Sequence, residues 1–241
     1  MEWQNPAMTS LLNRLFGPSV KELPEWLHKQ QGVKNRFDPD KLIEHVEFVA
    51  FDTELTGLDF KHDSIISIGA VKLKGSAILP AKTLYRLIKP ECELKSQSVV
   101  VHELTHTELD CAEEYIEVIR DFVEFIGEAV LIGHFIHIDL NFVNRPLQER
   151  YGIKLQNGAM DTSTLHDWMY ENDSRFARHF KGKTTKSDLF SLAKKYGVET
   201  GKAHNAFSDA YMTAQLFQRF VPFLPGSGVK TVRDLLKVAR P

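Results

Sequence analysis

The chain has 241 residues, with 30 basic side chains against 32 acidic ones and a formal charge of −2. Apolar residues at 43% and charged residues at 26% describe a globular protein and exclude a disordered one, and the length suffices to bury a core without disulfides or structural metal. The even charge balance argues against strong non-specific duplex binding, which needs a broad basic field, but leaves room for local grip on a short single strand.

The first residues have no basic lead, no long apolar core and no small-residue cleavage site, so no signal peptide is expected. Residues 1–45 read as an N-terminal helical extension, with short helices in LLNRLF and VKELPEWLHKQQ cut into units by Pro18, Pro24 and Pro39. Leu11, Leu12 and Phe16 make one apolar stripe, and the segment either packs on the main domain, the favoured reading, or serves as a docking element. The main domain opens with a meander of three strands: VEFVAF, ending where Asp52 appears, then IISIGAVKL and TLYRLI. Helical spacing follows in EEYIEVIRDFVEFIG, stopped near Gly127. AVLIG is a short buried strand, and a helix is expected over His134 to Tyr151 with Leu140, Phe142, Val143 and Leu147 inward, Pro146 arguing against a straight, uninterrupted course. Met160 to Thr162 close a further short strand before a helix. SDLFSLAKKYGV is a helix with Ser187 as candidate N-cap and Gly197 at its C-cap, and FSDAYMTAQLFQRFV is the last long helix. PFLPGSG resembles a linker, and residues 222–241 form a C-terminal tail ending in a short helix. Strands first and strand–helix alternation afterwards predict an α/β fold, a mixed sheet covered by helices. Cys92 and Cys111 sit in no CxxC pattern and read as free, buried or half-buried thiols in a reducing compartment. No apolar run reaches the roughly 18 residues of a membrane span, so no membrane partner is expected and the cytoplasm is the expected location.

Asp52 and Glu54 lie two residues apart, which on an extended strand puts both carboxylates on one face. Two such groups repel unless cations, protons or solvent compensate, and hard divalent ions with oxygen preference would do so. Alone the pair is weak evidence, since ordinary acidic surface pairs are common. Asp139 falls on the first turns of the helix after AVLIG, and His204 precedes Asp209 by five residues at the start of another helix. Each acid is flanked by core residues, where a lone buried carboxylate is costly; metal ligation would give both a reason to be there, while a solvent-facing cap is the plain alternative.

FVAFDTELTGLDFKHDSIISIGAVKL, LIGHFIHIDLNFV and GKAHNAFSDAYMTAQLF resemble, in this order, the three motifs of the DEDDh 3′–5′ exonucleases, a family that includes the proofreading subunit of bacterial DNA polymerase III. The resemblance covers roughly residues 46–221. It implies a ribonuclease H-like exonuclease fold with a central five-stranded mixed sheet flanked by helices. By position, Asp52, Glu54, Asp139 and Asp209 match the ligands of two Mg²⁺ or Mn²⁺ ions, and His204 matches the general base. Leu58 matches the apolar wedge beside the terminal base, while Thr53 and Leu55 flank the carboxylates and shape the nucleotide site. The implied substrate is the 3′ end of single-stranded nucleic acid, DNA favoured over RNA, and a DNA polymerase is the candidate partner of the terminal segments. A short-oligonucleotide or RNA exonuclease and a non-catalytic binding module are the rival readings. The sequence departs from the pattern at Leu55, Glu103, Ile138 and Phe135, where Asn is common; Phe135 either stacks on a base or fills core space. Lys181, Lys183 and Lys186 form either a phosphate-facing flap or a solvated loop; Thr83 and Lys154 have no assignment.

Overall fold

In the computed structural model, residues 23–90, 106–180, 187–201 and 204–241 are described. The β-branched and aromatic run after residue 46 forms β1 (Glu47–Leu55), longer than expected: it continues through Asp52 to Leu55, so the carboxylates lie on the strand itself. β2 (Ile65–Lys74) and β3 (Ala77–Leu87) complete an antiparallel meander, β3 starting six residues before the TLYRLI segment because a bulge at Val71/Lys72 extends the pairing. β4 (Val130–Gly133) and β5 (Ala159–Asp161) add in parallel on the other side of β1. The order β3-β2-β1-β4-β5 is a mixed five-stranded sheet with β1 at its centre.

A central strand covered on both faces is apolar at successive positions rather than alternate ones, and β1 obeys this. Phe48 and Ala50 face one cluster with Val71, Ile132, Met160 and Phe217, while Val49 and Phe51 face a second with Ile68, Phe122, Leu131 and Phe142. The second face is closed by α4 (Tyr115–Ile126) and α5 (His137–Tyr151), preceded by the short α1 (Glu25–His28), α2 (Val33–Arg36) and α3 (His106–Asp110). The first is closed by α6 (Thr162–Asn172), α7 (Ser174–His179), α8 (Leu189–Lys195), α9 (Ala206–Phe220) and α10 (Val232–Val238).

Several local expectations change. α5 begins at His137, three residues later than expected, and runs through Pro146 to Tyr151; Pro146 is itself buried, so packing outweighs the lost N–H. The N-cap of α8 is Asp188, which accepts from the Ser191 N–H, not Ser187. Gly197 ends that helix with φ of 61°. PFLPGSG is not a linker but a 3₁₀ segment, Val221–Ser227, whose Leu224 is buried in the core. α10 carries a Thr231–Asp234 capping box, and Val232, Leu235 and Ala239 are buried. Leu27 and Val33 are buried too, so residues 23–45 pack onto the sheet domain. Cys111 is free but exposed. The LLNRLF helix, Cys92, Glu103 and Lys181, Lys183 and Lys186 lie outside the described residues. No helix among the described residues is long and apolar enough to cross a membrane.

Candidate active site

The C-terminal end of β1 departs from the apolar rule, and there the site is built. Asp52 and Glu54 point to the α9 face, and Asp209, on the first turn of α9, meets them: one carboxylate oxygen from each lies within 4.8 Å of the others. α9 reaches that height because Gly69, the register partner of Asp52 on β2, has no side chain. A Cβ at Gly69 would stand 2.3 Å from the main chain of Ala206 and Phe207, so the helix rests directly on the strand.

Thr53, between the two acids, points the other way and meets α5. Its N–H and its hydroxyl both donate to Asp139 Oδ1, at 2.9 and 2.6 Å. Asp139 therefore enters from the opposite face of the sheet, outside the tight trio but near enough for its charge to act on Asp52. The four acids converge from both helical layers on one strand end.

Their electrostatics follow. Burial, then the charges of Asp139, Glu54 and Asp209, push the Asp52 carboxyl well above its ordinary range. Burial raises Asp139 to about 7 against the opposing Thr53 bonds. Burial and the Glu54 charge raise Asp209 to about 7, against a hydrogen bond from the His204 main chain. Glu54, Asp139 and Asp209 are 6%, 5% and 7% exposed, and Asp209 Oδ1 is buried with no hydrogen-bond partner among the described residues. An all-oxygen donor set, crowded and partly unsatisfied, fits a hard divalent cation, which would remove the repulsion that otherwise holds protons on the cluster.

His204 precedes α9 in a turn with φ of 58°, exposed, its ring 6.0 Å from that of Phe190. Phe135 has φ of 57°, so among the described residues the two non-glycine left-handed conformations both belong to predicted site residues. Phe135 is 38% exposed, which removes the core-filling reading. It lines a cavity of about 310 Å³ with Asp52, Thr53, Glu54, Leu58 and Asp139. Leu55 and Ile138 line it as well, and Leu58 is 68% exposed on its lip.

Three supporting groups escaped sequence reasoning. His134 is held at both ring nitrogens, by the Thr162 hydroxyl at 2.9 Å and the Ser187 carbonyl at 2.7 Å, and its edge meets the Phe135 ring at 4.6 Å. Burial lowers its pKa. Asp161 caps α6 through Ser163 and Thr164 and also accepts from Ile136 N–H at 2.9 Å, tying the β4–α5 turn to β5. The Tyr85 hydroxyl accepts from Asn205 Nδ2 at 3.4 Å, linking β3 to the turn that carries His204. The Asp–Thr–Ser run at 161–163 signals a cap; the other two arrangements have no local signature, since their partners are 28 to 120 residues away.

A family described as exonuclease (RNase_T) matches residues 49–217. DNA polymerase III PolC-type of Staphylococcus haemolyticus is 31% identical over 206 residues, 85% of this chain but 13% of that protein. The PolC-type enzyme of Thermotoga maritima is 28% identical over 86% of this chain and 14% of its own length, so the chain spans about an eighth of these relatives. Among solved structures, an E. coli ExoI–ssDNA complex aligns with a TM-score of 0.65 at 16% identity, over 76% of this chain and 42% of that one.

Proposed function

The chain belongs to the exonuclease family, and from that membership we propose that it removes nucleotides from the 3′ end of single-stranded DNA, releasing nucleoside 5′-monophosphates. Its sheet is the ribonuclease H-like exonuclease fold that the three motifs imply. The observation that carries the proposal is the meeting of Asp52, Glu54 and Asp209 within 4.8 Å at the end of β1, with Asp139 held beside them by Thr53.

In this reading the four carboxylates hold two divalent ions, Mg²⁺ or Mn²⁺. When bound, these supply Lewis acidity toward the scissile phosphate and lower the pKa of the attacking water. His204, solvent-exposed beside Asp209, accepts the proton from that water, a task suited to an imidazole near neutral pH. Leu58 meets the terminal base at the lip of the cavity, and Phe135 offers an exposed ring for stacking; Thr53 and Leu55 shape the wall between them. Neither apolar contact reads a base identity, as removal of successive nucleotides requires. The cytoplasm is the proposed location.

A second reading is favoured by the PolC-type relatives, which carry the matching region within a much longer DNA polymerase. There the activity would serve a polymerase partner, and co-purification with a polymerase is its test. The primary test is a digestion time course of 5′-labelled single-stranded DNA and RNA of equal sequence with Mg²⁺, with and without EDTA. Metal-dependent shortening from the 3′ end, faster on DNA, is expected. Faster RNA shortening would move the assignment to the ribonuclease alternative, and no shortening of either strand would leave only a binding module.

A further inference from the structure

Leu58 is a leucine held out in water, and the hydrophobic effect alone would fold it back onto the protein. The loop between β1 and β2 is therefore held open by polar contacts. Asp63, buried at 3% exposure, is its internal anchor: its carboxylate accepts from the Thr56 hydroxyl at 3.0 Å and the Asp59 N–H at 2.9 Å. Thr56 in turn pairs with Ser64 across the loop's base, N–H to carbonyl at 2.9 Å. Gly57 leaves the room for this anchor, since a Cβ there would stand 2.3 Å from Asp63 Oδ2.

The external anchor is Arg145. From α5 its guanidinium donates to the carbonyls of Phe60 and Asp63, the latter at 3.1 Å, gripping the loop at two points with one planar fork. The guanidinium also lies 5.9 Å from the ring centroid of Phe142, which packs against Phe60 at 5.1 Å. Arg145 sits six residues after Asp139 on the same helix, about 9 Å along its axis. One rigid element thus holds an acid of the metal cluster and the far side of the loop that presents Leu58.

We propose that Arg145 is a positioning residue for the substrate's 3′ terminus: it sets the distance between the Leu58 lip and the carboxylate cluster, and acts on the terminal base only through that loop. The proposal rests on the exonuclease reading and adds to it a residue remote from the chemistry. Losing the fork lets the loop close over Leu58, so binding of the end weakens while the cleavage machinery stays in place.

The test is steady-state kinetics with Mg²⁺ on a 5′-labelled single-stranded DNA and on the same strand ending in an abasic sugar. Arg145→Met is expected to raise KM for the normal strand about tenfold with kcat nearly unchanged, the pattern left by losing binding that ground and transition states share. On the abasic-ended strand the variant and the wild type should converge. Arg145→Lys, which keeps the charge but only one point of attachment, should recover part of the loss. Combined with Leu58→Ala, Arg145→Met should add little, because both remove one contact. If Arg145→Met melts below the assay temperature, the cycle is run with Arg145→Lys. An unchanged KM, an equal loss on the abasic-ended strand, or full additivity with Leu58→Ala would overturn the proposal. Failure of the wild type to shorten either strand would instead overturn the exonuclease reading beneath it.

Discussion

At the scale of single residues, the divided orientation of β1 governs the chemistry. Asp52 and Glu54 point to α9, and Thr53 between them points to α5, where it spends both donors on one oxygen of Asp139. Removing either a ligand or its holder should be distinguishable. Asp52→Ala or Asp209→Ala is expected to abolish nuclease activity with little change in the circular dichroism spectrum; near wild-type turnover in either would reject the metal assignment. Thr53→Val keeps the shape and β propensity but removes the hydroxyl donor. Groups that orient metal ligands are typically worth about 10–100-fold in metal affinity or activity. A loss of that size is expected, read as a rightward shift of the Mg²⁺ titration. His204→Ala should lose most turnover yet bind Mn²⁺ with close to wild-type affinity by calorimetry. A parallel loss of metal affinity would make His204 a ligand rather than a base.

At the scale of elements, the site depends on how closely α9 can approach the sheet. Gly69 permits main chain to rest on main chain, and this sets the height of Asp209 over Asp52. Gly69→Ala inserts a methyl at 2.3 Å from Ala206 and Phe207, so α9 must lift or the strand must yield. Overpacking of this kind costs about 1–3 kcal/mol. A lowered melting temperature together with a large loss of activity is expected. A stable variant with full activity would show that α9's seat is not what positions Asp209. A second joint lies where α6 meets α7. Asp173, 4% exposed, accepts from Arg175 and Phe176 N–H groups, from the Arg175 guanidinium and from the Ser227 hydroxyl, and these bonds hold its carboxyl well below the usual range. It joins that corner to the 3₁₀ segment Val221–Ser227, which is why that Pro- and Gly-rich stretch is folded rather than free.

At the scale of the molecule, the acid cluster sets a pH dependence. Asp139 and Asp209 titrate near 7 in the fold, against 3.8 as ordinary carboxyls, so between those values the native state holds more protons than the unfolded one. Their contribution to stability is fully present below about 4 and is lost as pH rises through about 7. In EDTA the melting temperature should fall from pH 5 to pH 8 relative to an Asp139→Asn, Asp209→Asn double variant, with Mg²⁺ restoring the wild type at pH 8. Taking the difference between the two proteins cancels His134, whose lowered pKa acts in the opposite sense over the same range. A difference curve flat with pH would show that the two carboxyls are ordinary. The residues just before β1 and the C-terminal residues also meet. Thr231 bridges Leu42, Arg233 pairs with Asp40 at 2.9 Å, and the Ala239 carbonyl accepts from Asp161 N–H at 2.8 Å. Deleting residues 229–241 strips Val232, Leu235 and Ala239 from the core and a partner from Asp161 beside the site. Lower stability and lower activity are both expected, measured by melting and by digestion rate.

The strands and the main helices were legible in the order of the residues, because each rests on local information, while the five candidate polar positions followed from the resemblance of three motifs to a known family. Apolar runs mark strands, spacing of three and four marks helices, and each motif is one contiguous segment, the first spanning most of β1 and β2, the second β4 and the start of α5, the third most of α9. Local rules erred where tertiary packing prevailed: at Pro146, which helix packing tolerates, at Ser187, displaced as cap by Asp188, and in PFLPGSG, drawn in by Leu224. What no local rule contains is contact between distant parts. The Thr53 bonds to Asp139 span 86 residues, Arg145 reaches back 82 to Asp63, and the seat of α9 on Gly69 exists only once sheet and helix meet. Asp52, Glu54, Asp139, His204 and Asp209 could thus be nominated as candidates from the motifs. Their splitting over two faces of one strand, and the raised pKa values of Asp52, Asp139 and Asp209, were decided by the tertiary structure, since burial and charge repulsion depend on distances that only the fold sets.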